Sequence, residues 1–456
     1  MMMSGRSLGA GASRRAMLRG GGAAAASLVL AACGAGGETG SPVKVDKPVT
    51  LRVQVPQPGT AGSENHAAFF LRETAAFQQA NPNVKVMSEV PAAADKLQAS
   101  VVAGDPPDML QAGYASLFPW VKQGAVEPID AYLDKRGKTD YYDWPRDGSS
   151  QNGKMWQWPW LLNPTGVIVN RSLFVEKNAA NLLPKQGPKA EWTLDQWKTA
   201  LRAVTSVTGD TAKDVYGTAF NVSNTTGDYY QAMYLWSSGA EMFNKDQTQV
   251  TVCVPEGYAA LQMLVDLVRR DRLAAPTPET ATTATTQNDF LAKKLGMLNG
   301  AISSVGEAQR RLKDGSILPP FEAQFLPVAH APGKKSAAFV AINGLFVFRQ
   351  PKDMDRTRAT MRFAYYLTDT PQQKSVTPIG SLPVRRSAGN IYPDDPNLTT
   401  ALGTVDNARD LGHFSTNGEV RQLWLTAVQA AFAQRQAAQA VMEEFCRLAP
   451  PIMARA

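Results

Sequence analysis

Strands and helices alternate along the chain from residue 49 onward, and this alternation constrains the fold more than any other feature of the sequence. Apolar residues recur with period two over 49–55 and again over 84–87, which predicts two strands, and helical spacing over 66–79 predicts a helix between them. A strand, a helix and a strand in succession indicate a parallel sheet, because the helix carries the chain back to the starting edge. The sequence therefore predicts the α/β class.

The same alternation continues into the C-terminal half of the chain. Further helices are predicted over 95–103, 114–124, 194–207 and 258–270, and further strands over 108–111 and 166–169. The stretch 277–287, rich in Thr and Ala, is predicted to be a polar loop. A chain of 456 residues is long enough for two or three domains.

The first 32 residues have the composition of an export signal. They contain four arginines and no acidic residue, and their apolar stretch 23–32 is shorter than the roughly 20 residues that span a bilayer. Residues 13–19 (SRRAMLR) resemble the twin-arginine export motif, and 30–33 (LAAC) resemble a bacterial lipobox. The lipobox implies lipidation of Cys33, followed by a flexible tether over 33–47. We therefore expect an extracytoplasmic bacterial protein attached to the cell membrane by a lipid.

Much of the basic charge of the chain belongs to this signal. The whole chain has a formal net charge of +7, and removal of residues 1–32 leaves +3. The nearly balanced mature chain has no electrostatic footprint for nucleic acid. The three histidines lack zinc-binding spacing and no nucleotide-binding motif is present, so we expect neither a metal nor a cofactor.

Two cysteines, Cys253 and Cys446, remain after lipidation of Cys33. We expect two separate buried thiols, because Cys253 lies in a strand-like segment and Cys446 in a C-terminal helix. A disulfide between them is the alternative in an oxidising compartment.

The sequence contains no convincing catalytic constellation. Asp105 and Asp108 are closely spaced carboxylates, an arrangement that would suit acid and base catalysis on a glycosidic bond. We interpret them instead as residues that shape the turn 104–108, which also contains two prolines. We therefore expect a protein that is not an enzyme.

An ordered series of motifs resembles the extracellular solute-binding proteins of ABC importers, the family that includes the maltodextrin-binding proteins. The resemblance runs from about residue 49 to the C-terminus. The motifs are 97–109 (LQASVVAGDPPDM), 121–129 (VKQGAVEPI), 152–159 (NGKMWQWP), 169–174 (VNRSLF), 192–197 (WTLDQW), 341–344 (AING), and 359–367 followed by 380–384 (GSLPV). Each motif is weak alone, and their common order carries the resemblance.

The resemblance implies a periplasmic-binding-protein-like fold, in which two α/β lobes are joined by a hinge of three crossings and a ligand lies in the cleft between them. It implies a lobe 1 of 48–157 with 325–370, and a lobe 2 of 158–324 with 371–456. The crossings are expected near 157–160, 318–325 and 368–373. The last of these is a helix end before a turn, where a chain can absorb a change of dihedral angles.

Tryptophans near the first crossing are candidate ligand contacts. Trp156, Trp158 and Trp160 recur with period two, so an extended segment would point them to one side. Pro159 cannot donate a sheet hydrogen bond, so we expect the chain to leave the sheet here and to expose Trp158 or Trp160 to the cleft. An exposed ring would stack on the apolar face of a sugar. Core packing is the alternative for each Trp, and it is the better interpretation of Trp156.

A second group of candidates follows the strand predicted at 108–111. Gln111, Gly113 and Tyr114 lie at the carboxyl edge of the parallel sheet, where open α/β sheets bind ligands. Gln111 offers a donor and an acceptor, Gly113 permits close approach of the backbone, and Tyr114 offers a ring and a phenol.

The remaining candidates lie in two segments that match the family. Tyr230 and Trp236 belong to an aromatic helix, in which some of the rings are core. Asn343 and Gly344 lie in a loop between apolar strands, where Asn343 would pair with a hydroxyl.

The sequence departs from the family at one place. Several sugar binders have a Trp in the segment that matches 299–303, whereas this chain has small residues there. The basic pair Arg385 and Arg386 would suit an acidic substituent such as a uronate, and a surface pair is the alternative.

The resemblance implies a monomeric binding component of an ABC transporter, which captures a sugar or oligosaccharide and delivers it to the membrane permease by hinge closure. Two alternatives stay open. One is a secreted carbohydrate-active enzyme, and the other is a binding protein that serves a sensor kinase.

Overall fold

The computed structural model describes residues 47–58, 64–224, 226–310 and 321–455. The predicted signal peptide, the lipidation site Cys33 and all of the tether before Lys47 lie outside the described residues.

The described strands are β1 (Val49–Gln54), β2 (Val84–Glu89), β3 (Met109–Gly113), β4 (Ser150–Gln151), β5 (Lys154–Met155), β6 (Trp158–Asn170), β7 (Met297–Ala301), β8 (Ala323–Leu326), β9 (Ala338–Val347), β10 (Leu382–Pro383) and β11 (Ala408–Arg409).

The described helices are α1 (Glu64–Ala80), α2 (Ala94–Val102), α3 (Leu117–Lys122), α4 (Asp143–Gly148), α5 (Arg171–Glu176), α6 (Leu194–Val204), α7 (Thr226–Ser237), α8 (Pro255–Arg269), α9 (Thr283–Leu291), α10 (Ser303–Arg310), α11 (Met354–Thr368), α12 (Thr370–Lys374), α13 (Pro396–Leu402), α14 (Asn417–Phe432) and α15 (Ala438–Met453).

One group of strands forms the sheet of lobe 1, in the order β10-β6-β9-β3-β1-β2. The β1 strand pairs in parallel with β2 and β3, as the alternation of strands and helices predicts. The β9 strand is antiparallel to both β3 and β6. Helices α1 and α11 pack on this sheet and bury its apolar side chains. The α/β prediction is confirmed.

The second half of β6 belongs to lobe 2. It pairs antiparallel with β7 and β8, next to a layer in which α7, α8, α14 and α15 pack on one another. Local sequence determines where α6 of this lobe begins. The Thr193 hydroxyl accepts a hydrogen bond from the Gln196 N–H, and the Gln196 side chain accepts one from the Thr193 N–H. This capping box satisfies two donors that a helix start leaves free.

The strand β6 passes through both lobes, so the first crossing lies within it. Its residues 158–164 pair with β9, whereas residues 165–170 pair with β7 and β8. The expectation that the chain leaves the sheet at Pro159 is wrong, because Pro159 lies opposite Gly344 in the ladder. The register shifts between Pro159 and Leu161, so a bulge accommodates Trp160.

The segment 368–373, predicted as a crossing, is hydrogen-bonded to the half of β6 that pairs with β9. The Gln373 Nε2 atom donates to the Trp160 carbonyl at 2.8 Å, and its Oε1 atom accepts from the Val384 N–H at 2.8 Å. The β10 strand also pairs with the lobe 1 half of β6. The segment 368–373 and β10 are therefore held against the sheet that contains β1, β3 and β9, and we expect the crossing after β10 rather than near residue 370.

The structure differs from the sequence predictions at two further places. The stretch 277–287 is not all loop, because α9 begins at Thr283 behind a cap formed by the Thr282 hydroxyl. The expectation of separate thiols is wrong, since Cys253 and Cys446 form a disulfide across 193 positions. No strand holds Cys253, which precedes the first turn of α8 and lies beside α15.

Within the described ranges, no helix combines the length and the apolar character that crossing a bilayer requires.

Candidate functional site

The carboxyl end of β3 brings several predicted ligand residues together. Gly113 lies opposite Asn343 in the ladder of β3 and β9, and Asn343 lies opposite Leu161 of β6. Gln111 and Asn343 are half-buried and Gly113 is exposed. These residues place amide groups and an accessible backbone at the carboxyl end of β3, the position at which open α/β sheets bind ligands.

Gly344 has a packing role that the sequence did not reveal. A Cβ atom at this position would lie 2.3 Å from the Gln157 Oε1 atom and 3.2 Å from the Trp158 carbonyl. The absence of a side chain at Gly344 therefore permits the close approach of Gln157 between β6 and β9.

Tyr114 joins the edge of lobe 1 to lobe 2. Its ring, which is 3% exposed, packs edge-on against Trp144 and lies 6.4 Å from the ring of Phe339. Phe339 in turn stacks at 4.1 Å on Tyr229 of α7. Burial, followed by the negative charge of Asp410, holds the pKa of the Tyr114 phenol well above its ordinary value, so the phenol keeps its proton.

Trp158 and Trp160 do not line the cleft, contrary to the sequence prediction. Both side chains are 0% exposed in the core of lobe 1. The Trp158 Nε1 atom lies 3.3 Å from the Met361 sulfur of α11. The Trp160 ring packs against Phe69 and Phe70 of α1. The two indoles pack against different helices, α11 and α1, which also pack on each other through Phe77 and Phe363.

The two aromatic residues predicted on α7 have different surroundings. Tyr230 is buried and packs edge-on against Tyr229 at 4.8 Å. Trp236 lines a cavity of about 370 Å³, together with Trp144 of α4 and the segment 408–410. The Glu241 carboxylate forms an ion pair with Arg409 at 2.9 Å in the wall of this cavity, which we call the Trp144 cavity.

A second cavity of about 370 Å³, which we call the cleft cavity, lies between the two lobes. Lobe 1 contributes Asn65 at the start of α1 and the turn 377–380. Lobe 2 contributes Ser303 at the start of α10 and Asp395 and Asn397 at the start of α13. The lining also includes Gly306, Tyr392 and five apolar side chains: Ile302, Val305, Pro378, Ile379 and Leu398.

Hydrogen bonds fix the polar side chains of the cleft cavity. The Asn65 Nδ2 atom donates to the Pro378 carbonyl at 2.7 Å, and the Asn163 Nδ2 atom donates to the Ser303 hydroxyl at 3.3 Å. The Asn397 Oδ1 atom accepts from the Phe325 N–H at 2.7 Å and from the Gln186 side chain. These bonds orient the amides without using all of their donors and acceptors, so the remaining groups can meet a polar ligand.

The other ionisable residues that the sequence singled out have structural partners. Asp105 pairs with Arg52 at 3.1 Å, and Asp108, which is 0% exposed, pairs with Arg356 and accepts from the Arg52 N–H. Arg385 is also 0% exposed and pairs with Asp140 at 3.1 Å. Arg385 is therefore engaged inside lobe 1 and is not the surface or uronate-binding residue that the sequence suggested.

Arg386 also has a carboxylate partner. Arg386 is partly exposed and pairs with Asp143 at 3.3 Å. Within the described ranges, His, Cys, Asp and Glu side chains form no group of three that could hold a metal ion.

Sequence reasoning missed the residues that line the cleft cavity. Asn65, Asp395 and Asn397 come from segments more than 300 positions apart in the chain, and no spacing links the first to the others. Trp144 offered a signal, because it lies close in sequence to the three tryptophans that were considered. Asp228 of α7 and Arg421 of α14 form an ion pair at 2.6 Å, and no pattern in the sequence predicts this pairing.

Comparison with known proteins supports the assignment of the fold. The family model for bacterial extracellular solute-binding proteins matches residues 61–374. A putative binding protein of Brucella abortus (strain 2308) is 22% identical over 393 residues, which cover 84% of this chain and 90% of that protein.

Solved structures share the architecture at low sequence identity. The cyclic α-maltosyl-1,6-maltose binding protein of Arthrobacter globiformis superimposes with a TM-score of 0.74 at 18% identity, over 90% of this chain and 100% of that one. The GacH receptor of Streptomyces glaucescens, solved without ligand and with acarbose, gives a TM-score of 0.71 at 16% identity, over 89% of this chain and 98% of that one. The two-lobed fold is therefore shared.

Proposed function

The chain belongs to the bacterial extracellular solute-binding proteins, and we propose that its solute is a sugar or oligosaccharide. In this proposal the protein captures the sugar outside the cytoplasmic membrane and delivers it to the transmembrane subunits of an ABC permease. The sugar-bound relatives of the same fold support the class of ligand, but the chemistry of the cleft cavity is the observation that carries the proposal.

The lining of the cleft cavity matches the surface of a sugar. A pyranose has hydroxyls around its rim and apolar C–H groups on its faces. Asn65, Ser303, Asp395 and Asn397 offer amide, hydroxyl and carboxylate groups to the rim, and the apolar side chains of the lining offer contact to a face. A cavity of about 370 Å³ is within the range that small-molecule sites occupy.

We propose that the edge of the lobe 1 sheet extends this site. Gln111, Gly113 and Asn343 lie in the adjoining rows of β3 and β9, and we retain them as proposed ligand contacts. Trp236, with Trp144, is proposed as an aromatic wall for a longer saccharide in the Trp144 cavity. Tyr114 and Tyr230 are buried against other aromatic rings and are proposed to shape the site rather than to stack on the sugar.

Hinge closure follows from a ligand that touches both lobes. A ligand shifts a conformational equilibrium only when it binds one state more tightly than the other. The cleft cavity has walls from α1 in lobe 1 and from α10 and α13 in lobe 2, so a sugar in it gains its full set of contacts only in the closed state. The proposed pivot is the crossing within β6, near Asn163.

We also propose how the protein is attached to the membrane and which partner it serves. A diacylglyceryl group on Cys33 would hold the protein at the membrane, and residues 33–47 would let the lobes reach the permease. The protein would act as a monomer. A sensor kinase in place of the permease would use the same binding site.

A binding screen with a cavity-filling variant tests the proposal. We expect one or more mono- or oligosaccharides to raise the melting temperature of the purified protein and to give saturable heat in calorimetry. Ser303→Phe would fill the cleft cavity and abolish that binding, while Thr199→Phe, at an exposed position of α6, would leave it unchanged.

Two outcomes would contradict the proposal. The first is a complete absence of sugar binding across the screen. The second is release of product from a polysaccharide by the pure protein, which would indicate a carbohydrate-active enzyme.

A further inference from the structure

Asp395 places a carboxylate in the wall of the cleft cavity. Its Oδ1 atom accepts from the backbone N–H groups of Asn397 at 2.8 Å and Leu398 at 3.0 Å, which caps α13. Its Oδ2 atom has no hydrogen-bond partner among the described residues. The side chain is half-buried, so the second oxygen remains available to a ligand in the cavity.

Asp395 is the sole charged side chain among the described residues that line the cleft cavity. The negative charge of Asp395 also acts on Tyr392, which belongs to the same lining. Burial, followed by this charge, raises the pKa of the Tyr392 phenol above its ordinary value. The Tyr392 hydroxyl donates to the Ser381 carbonyl at 2.7 Å and so does not neutralise the carboxylate.

The two arginines nearest to Asp395 in the sequence pair with other carboxylates. Arg385 is buried against Asp140 in lobe 1, and Arg386 pairs with Asp143. Neither belongs to the lining of the cleft cavity.

We propose that Asp395 makes the binding site selective for neutral or cationic carbohydrates and against acidic ones. A carboxylate oxygen accepts hydrogen bonds from the hydroxyls of a sugar, and it pairs with the ammonium group of an amino sugar. A uronate or a sugar phosphate in the same cavity would place two negative charges side by side in a partly desolvated site, where repulsion is screened less than in water. The inference rests on the proposed function, because it concerns the ligand of the same site.

A series of matched sugars tests the inference. The probes are the neutral sugar, the 2-amino sugar and the uronic acid of the gluco, galacto and manno skeletons, together with their disaccharides, each titrated calorimetrically at neutral pH. For any skeleton that binds, we expect the uronic acid to bind at least about tenfold more weakly than the neutral sugar, and the amino sugar to bind at least as tightly.

Two variants with the same change of net charge distinguish a local effect of the Asp395 carboxylate from an effect of the overall charge of the protein. Asp395→Asn keeps a residue that caps helices well, so α13 is retained, and we expect it to shrink the difference between neutral and acidic sugars to about threefold or less. Asp394→Asn alters the exposed neighbour, which does not line the cavity, and we expect it to leave the difference as in the wild type.

The outcomes distinguish this inference from the proposed function. Sugar binding with no discrimination against the uronic acid, or the same discrimination in wild type and Asp395→Asn, would overturn the role of Asp395 and leave the proposed function standing. Failure of every sugar to bind the wild type would overturn the proposed function, and the inference with it.

Discussion

At the scale of single residues, burial separates side chains that look alike in the sequence. Arg385 and Arg386 are adjacent and chemically identical, yet the first is enclosed and the second is partly exposed. The Arg385 Nε atom donates to the Thr368 carbonyl at 2.7 Å, and its guanidinium lies 4.6 Å from the centre of the Tyr141 ring. Arg385 therefore ties α11, β10 and the segment around Asp140 together within lobe 1.

We expect substitution of the two arginines to reduce the free energy of unfolding by different amounts. Arg385→Met would remove the buried ion pair with Asp140 and the hydrogen bond to the Thr368 carbonyl, and we expect a loss of about 1–3 kcal/mol in the free energy of unfolding. The Asp140 carboxylate would keep its hydrogen bonds from Ser387 and its ion pair with Arg136, which limits the loss. Arg386→Met removes a partly exposed pair and should cost about 0–1 kcal/mol. Urea denaturation of both variants measures the difference, and equal losses would contradict the burial described for Arg385.

Two glycines at the site give a similar contrast. Gly344→Ala would push its Cβ atom against Gln157, and we expect a loss of about 1–3 kcal/mol in stability. Gly113→Ala has open space around the new Cβ atom and should change stability by less than about 0.5 kcal/mol. Denaturation midpoints of the two variants provide the test. A Gly344→Ala protein as stable as the wild type would show that Gln157 is not held as described.

His413 predicts a pH dependence at the contact between the lobes. Burial lowers the pKa of its imidazole, but the charge of Asp410 and a hydrogen bond to the same carboxylate outweigh burial and raise the pKa above the ordinary value of 6.5. Asp147 of α4 adds to the rise, while Gln247 and the ring of Phe118 are neutral neighbours.

A folded-state pKa above the unfolded value means that the protonated form stabilises the fold. This contribution is complete below about pH 6.5 and disappears as the pH rises through the raised pKa. We therefore expect the stability advantage of wild type over His413→Gln to shrink across that window in thermal unfolding. A constant difference between the two proteins from pH 5 to about pH 9 would contradict the assignment.

At the scale of elements, local patterns predicted much of the fold. Period-two alternation placed β1 and β2, and helical spacing placed α1 and α2 to within a few residues. These predictions succeed because each element buries one face, and the burial is encoded in the spacing. The bulge in β6 and the burial of Trp158 and Trp160 could not be predicted, since they depend on α1 and α11, which are distant in the sequence.

The candidate site likewise has one part that local sequence patterns predict and one part that they do not. Gln111 and Gly113 follow from the general rule that ligands bind at the carboxyl edge of a parallel sheet, and their contact with a ligand stays a prediction. The placement of Asn343 in a loop is wrong, because Asn343 lies within β9 opposite Gly113. The cleft cavity could not be predicted, because Asp395 and Asn397 are more than 300 positions from Asn65 in the sequence. Only the packing of the folded chain brings them into one cavity.

The disulfide predicts how lobe 2 responds to reduction. It joins the start of α8 to α15, so it fixes the C-terminal helix to the rest of the lobe across a separation of 193 positions. We expect the double variant Cys253→Ser and Cys446→Ser to lose about 2–5 kcal/mol of stability. Thermal unfolding of the wild type with and without a reducing agent should show the same loss.

A control separates the disulfide from other effects of reduction. The double variant should be insensitive to the reducing agent. An unchanged melting temperature of the wild type on reduction would show that the bond contributes nothing to the stability of lobe 2.

At the scale of the whole molecule, one side of the cleft is held by contacts between the lobes. The segment 114–122 of lobe 1 reaches lobe 2 at three places. Tyr114 lies near Phe339 of β9, whose ring stacks on Tyr229 of α7. Phe118 packs on His413, and the Lys122 Nζ atom donates to the Arg455 carbonyl at 2.8 Å. The cleft cavity lies on the other side of β9 and β6, near β10 and the start of α1. The lobes are thus in contact around a cavity that a ligand touching both could occupy.

Small-angle X-ray scattering during a titration with the tightest-binding sugar of the screen tests whether a sugar closes the two lobes, because closure shortens the radius of gyration. We expect the radius of gyration to fall in proportion to the fraction of protein bound and to stop falling at saturation, and we expect no such decrease for Ser303→Phe. A radius of gyration that stays constant while calorimetry shows full occupancy would contradict the claim that a sugar closes the two lobes.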